Sequence, residues 1–156
     1  MRLASRDRGV VSHGRAASEA RPVMLVTFDV PVRPDAAALA VDSAVESGQQ
    51  LVLVNLVELT IRPMTASWGA EVVVLEDVDE SLRAPAELAA SLAVAVERLR
   101  VVSPRPLAAL LELVGERSPG LLVLGADTRR MRGRYYRKAA RKLREEAACL
   151  VWIPPE

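Results

Sequence analysis

Four nearly unbroken apolar runs divide the chain: residues 23–28, 51–57, 121–124 and 150–153. Runs this short and this apolar suit strands covered on both faces, as in parallel sheets. The stretches between them carry the helical period. Pro34 and Asp35 open the first helix, where proline tolerates the first turn and a carboxylate meets the positive end of the dipole. Ala37, Ala38, Val41, Ala44 and Val45 form its expected stripe, and Gly48 its stop. A second helix is expected over 85–100, with Leu88, Leu92, Ala95, Val96 and Leu99 on one face. Residues 100–103 are left for a short strand. Leu107, Leu110, Leu111 and Val114 mark a third helix, closed by Gly115. A fourth, over 134–147, would bury Tyr136, Ala139, Ala140, Leu143 and Ala147. Pro154 and Pro155 stop the last strand.

Two stretches resist this pattern. Residues 58–80 read as a long loop holding a short extra strand at 71–75. Residues 1–22 have little apolar content and no period, and read as a disordered extension. The remainder, 23–156, alternates β-α-β-α-β-α-β-α-β. That order predicts right-handed crossovers and one α/β domain, a three-layer sandwich around a five-stranded parallel sheet. Ligands of such sheets bind beyond the carboxyl ends of the strands. Asp29 and the sequence Gly125-Ala126-Asp127-Thr128 are the residues placed there.

Composition narrows the chemistry. With one cysteine (Cys149) and one histidine (His13, in the tail), neither an internal disulfide nor a multi-ligand zinc site is expected. Cys149 reads as a buried small hydrophobe in a reducing, cytoplasmic setting. No apolar run approaches the roughly 20 residues that span a bilayer, so no membrane contact is expected. Nor is there a catalytic assembly: no histidine in the folded part, no Cys–His pair and no nucleophile elbow.

The net charge of +1 conceals an asymmetry: seven basic and fifteen acidic residues over 23–128, but nine basic and two acidic over 129–146. Arg134, Arg137, Lys138, Arg141 and Arg144 recur at helical spacing opposite the apolar stripe. Three readings of this run stay open. It is a solvated face, an anion site in which arginines take a phosphate by charge, or a contact for nucleic acid or an acidic partner.

From residue 23 to 153 the chain resembles the universal stress protein family. The resemblance rests on the apolar first strand ending in Asp29 and on the second strand, Leu51-Val52-Leu53-Val54-Asn55-Leu56-Val57. It continues through the leucine-rich helix leading to Leu121-Leu122-Val123-Leu124-Gly125-Ala126, and through the ending Ala147-Ala148-Cys149-Leu150-Val151-Trp152-Ile153. It implies an adenine-nucleotide-hydrolase-like sheet of order 3-2-1-4-5 and a homodimer formed through the last strand, at Leu150, Val151, Trp152 and Ile153.

ATP-binding members carry a glycine after the fourth strand, a second three residues on, and a glycine-serine or glycine-threonine pair about ten further. Those glycines let backbone N–H groups wrap a phosphate. Here Gly125 matches the first, Thr128 replaces the second and Lys138 the third. The small pair after Asp29 is replaced by Val30-Pro31. The implied nucleotide contacts are thus a degenerate set: Asp29, Val57, Gly125, Thr128, Arg130, Arg134 and Lys138.

The expectation is a non-catalytic universal-stress-type protein without the usual ATP loop and with no cofactor, acting through a partner or small ligand. One alternative is a nucleotide-binding regulator or weak ATPase, taking ATP or another adenine nucleotide at an arginine-rich phosphate site. Another is a nucleic-acid-associated protein using residues 129–144.

Overall fold

The computed structural model describes residues 4–7, 20–60 and 68–155, with side chains at 20–60 and 77–155. Its strands are β1 (Ala4–Asp7), β2 (Val23–Thr27), β3 (Leu51–Glu58), β4 (Val96–Ser103), β5 (Leu121–Leu124) and β6 (Leu150–Trp152). Its helices are α1 (Pro34–Ser47), α2 (Trp68–Ser91), α3 (Pro106–Arg117) and α4 (Gly133–Glu146), with a short 3-10 turn at Thr128–Arg130. The sheet order is β1-β4-β3-β2-β5-β6. The strands from β2 onward are mutually parallel. They form the expected five-stranded sheet of order 3-2-1-4-5.

Alternate residues of the central strands feed two cores, as the period of two requires. Met24, Val26, Val52, Val54, Leu122 and Leu124 pack toward α3 and α4. Val23, Leu25, Leu51, Leu53 and Val123 pack toward α1 and α2. α4 buries Tyr136, Ala139, Ala140 and Leu143, as its pattern predicts, whereas Ala147 of the same expected stripe stands at the C-cap, half-buried. Each such large side chain removed from water contributes roughly 1.5–3 kcal/mol.

Several elements depart from the sequence reading, α2 and β4 most of all. Much of the loop expected over 58–80 is helix: α2 begins at Trp68, while residues 61–67 lie outside the described residues. Among its described side chains the buried positions are Val78, Leu82, Pro85 and Ala89, and Leu88 and Leu92 of the expected stripe are half exposed. The helix ends near Ser91 because Ala93 turns left-handed (φ 62°). The Val94 N–H then closes back on the Ala89 carbonyl at 3.0 Å. Residues 96–103, read mostly as helix, are β4, pairing along the full length of β3.

In α1 the buried set is Ala36, Ala40, Val41 and Ala44, whereas Ala38 and Val45 face solvent. Gly48 (φ 65°) caps α1 as expected. Gly115 does not cap α3, which runs on to Arg117 and stops at a left-handed Ser118. Within the stretch read as a disordered extension, Ala4–Asp7 forms β1, antiparallel to β4. Pairing satisfies backbone groups that the edge of β4 would otherwise leave open. Residues 8–19, also read as disordered, lie outside the described residues.

Candidate functional site

The carboxyl ends of β2, β3 and β5 meet where the strand order reverses. β2 delivers Thr27, Phe28 and Asp29 to this edge. Thr27 is fully buried, and its hydroxyl donates to the Val30 carbonyl. Asp29 sits in the left-handed region (φ 55°), which non-glycine residues other than Asn and Asp seldom adopt. Its N–H donates to Asn55 Oδ1 at 2.9 Å, and its Oδ1 lies 3.5 Å from Asn55 Nδ2. Asn55, nearly buried in β3, therefore ties the loop after β2 to the neighbouring strand. Val57 follows two residues on, half-buried.

That loop then crosses the end of β5. Val32 bridges Ala126 in antiparallel fashion. The Arg33 N–H donates to the Gly125 carbonyl at 2.8 Å, and the Asp127 N–H to the Pro31 carbonyl at 2.9 Å. The Val32 N–H donates to Ser81 Oγ of α2 at 3.1 Å. Backbone from this chain thus spans the crevice between β2 and β5. Gly125 is needed for this packing. A Cβ there would lie 2.6 Å from Leu25 Cδ1, 3.0 Å from Val32 Cγ1 and 3.5 Å from Ala36 Cβ.

Beyond β5, the Asp127 side chain accepts from the Arg129 N–H at 3.1 Å and caps the 3-10 turn. Thr128 starts that turn, half-buried. The Arg130 Nη1 approaches Asp77 Oδ2 of α2 at 3.5 Å between exposed side chains, a geometry of little energetic weight. α4 starts at Gly133, so Lys138 lies in its second turn. There the backbone N–H is used inside the helix, not presented to a ligand.

The first turn of α4 instead packs Tyr135 edge-on to Phe28, with ring centroids 5.5 Å apart and planes at 84°, an attractive geometry. Burial pushes the Tyr135 hydroxyl above its ordinary value, Glu58 adds to the shift, and the backbone of Leu107 opposes it.

Of the predicted contacts, Asp29, Val57, Gly125 and Thr128 share the carboxyl edge, and Arg130 leans toward α2. Arg134 and Lys138 lie on the exposed face of α4, opposite its buried stripe. Asn55 went unpredicted, although a lone polar residue inside an apolar strand was an available signal. Tyr135 is marked in the sequence by its place beside the arginines, as a ring that could stack on a base, and it packs on Phe28 instead. At the far edge, β6 pairs with β5, and Leu150 is 71% exposed. Val151, Trp152 and Ile153 are half-buried against the two cores. Cys149 is half-buried too, and burial raises its thiol pKa.

This is the fold of the universal stress proteins. The chain matches a member of that family from Burkholderia pseudomallei with a TM-score of 0.60, at 19% identity, over 86% of this chain and 96% of the other. A universal stress protein solved in complex with cAMP gives 0.54 at 21% identity, over 88% and 98%. One from Archaeoglobus fulgidus, in complex with dAMP, gives 0.55 at 14% identity, over 85% and 96%. No protein-family model matches the sequence, and no curated protein matches it. Among the described residues no helix is long and apolar enough to cross a membrane. Nor is there among them a cluster of three or more His, Cys, Asp or Glu that would hold a metal.

Proposed function

We propose that this chain is a non-enzymatic, universal-stress-type regulatory protein of the cytoplasm that works through surface contacts and without an ATP loop. The carrying observation is the start of α4. The stretch in which ATP-binding members are expected to place their third glycine is helical here, and Tyr135 packs on Phe28 at the switch point. The backbone bridge from Pro31–Arg33 to Gly125–Asp127 supports the same reading. A homodimer through β6, with Leu150 at its centre and Val151, Trp152 and Ile153 beside it, completes the proposal. It would cover an apolar edge strand that otherwise invites uncontrolled pairing.

The test is a titration of the purified protein with ATP, AMP and cyclic AMP in the presence of magnesium. The expected result is no saturable binding. Saturable binding that Asp29→Ala weakens would overturn the proposal.

One observation favours a second reading. Arg129, Arg130, Arg132 and Arg134 gather before and in the first turn of α4, and related folds have been solved with cAMP and dAMP bound. An adenine nucleotide held by these arginines in place of glycine N–H groups would require Arg130→Ala or Arg134→Ala to abolish binding.

A further inference from the structure

The exposed face of α4 carries Arg134, Arg137, Lys138, Arg141 and Arg144, with Lys142 half-buried at its margin. Helical geometry spreads these groups over an arc of about 160° and a length of about 15 Å, close to one cation or more per turn. The ion pairs of the described arginines belong to Arg33, Arg83, Arg98, Arg117 and Arg130; among the described residues none joins this face to an acid.

The stability of the helix does not account for the pattern. A helix gains from acids in its first turn and from a Ser, Thr, Asp or Asn cap. α4 has Arg132 at its N-cap with no side-chain cap bond, no acid in its first turn, and Arg134 beside the positive end of its dipole.

We propose that this face is a docking surface for the phosphate backbone of double-stranded nucleic acid. The proposal goes beyond the reading above and stands whether or not the crevice holds a nucleotide. Four observations select this occupant. Most of the cations are guanidinium groups, which take phosphate oxygens in pairs. They form a band that runs about 15 Å along the helix axis, and a duplex presents a continuous line of charge, one per about 1.7 Å of its axis. The apolar stripe of α4 is buried against the sheet, which leaves nothing to insert into a bilayer. Tyr136 is buried and Tyr135 is packed on Phe28, so the face offers no aromatic ring for stacking unpaired bases. Contact limited to the backbone reads no sequence.

The experiment is fluorescence anisotropy of a labelled, mixed-sequence duplex of about 20 base pairs, as DNA and as RNA, between about 50 and 200 mM salt. Five phosphate contacts predict a slope of log K against log salt of about −4.5, a loss of roughly 500-fold across that range. The variant Arg137→Ala/Lys138→Ala/Arg141→Ala, altered at exposed positions only and checked for its fold by circular dichroism, should flatten the slope to about −2. Arg137→Lys/Arg141→Lys should keep the slope. Binding of either duplex with these slopes supports the proposal and identifies the nucleic acid. The proposal is overturned by no duplex binding at the lowest salt, by a slope the triple variant leaves unchanged, or by tighter binding to the single strand. Equal binding to phosphatidylserine vesicles would overturn it as well.

Discussion

Replacing Gly125 by alanine separates a packing role from a phosphate-binding one. The new Cβ would stand 2.6 Å from Leu25 Cδ1 and 3.0 Å from Val32 Cγ1. Carbon atoms in comfortable contact lie about 3.5–4.0 Å apart, so Leu25 must retreat by roughly 1 Å. It has nowhere easy to go, because it is fully buried between β3 and β5. Val32 is held in turn by its bridge to Ala126 and its hydrogen bond to Ser81. Overpacking of this kind costs about 1–3 kcal/mol, and we expect about 2 kcal/mol here. In urea, with a slope of about 1–3 kcal/mol per molar, the midpoint should fall by about 1 M without a change in slope. By heat the loss corresponds to a drop of about 6 °C. Adding Val32→Ala should return part of the stability, since the two side chains compete for one space and their effects are then non-additive. A loss under about 0.5 kcal/mol, the range of an ordinary surface change, would refute the packing argument. If nucleotide affinity then fell while stability held, Gly125 would be a phosphate-loop glycine after all.

Two further outcomes follow from the α4 end of the fold. Arg132→Asp should cap the helix and relieve its dipole, raising stability by about 1 kcal/mol and the thermal midpoint by about 3 °C; an unchanged or lower midpoint would contradict the capping argument. Tyr135 should ionise above the usual value of 10, as followed by tyrosinate absorbance. The unfolded chain then loses this proton first, so the contribution of Tyr135 is intact below about pH 10 and declines as pH rises past it. A Tyr135→Phe chain with the same alkaline slope of stability would show that this hydroxyl does not drive the loss.

The strands at 23–27, 51–58, 121–124 and 150–152 were legible because a strand buried on both faces must be apolar throughout, and that demand is local. Their alternation with helical stretches determined the α/β class. The stop of α1 was legible at Gly48, where a left-handed residue is cheapest as glycine.

The same logic hid the other junctions. Asp29, Ala93 and Ser118 adopt the left-handed conformation without being glycine. Their neighbours hold them there, and no residue type announces it. Without a glycine near 93, the apolar positions from Leu88 to Leu99 fit a continuous helix. Only pairing along β3 assigns residues 96–103 to a strand.

At the site, the sequence alone set Gly125, Thr128 and Lys138 at the spacing that the family resemblance picks out. The tertiary structure decided how the carboxyl edge around them is packed. Gly125 is filled against by Leu25 and Val32, Asp29 is engaged by Asn55, and Tyr135 reaches Phe28. Each of these contacts joins residues more than twenty positions apart. Close packing across such distances is a property of the assembled layers and leaves no period or motif in the chain.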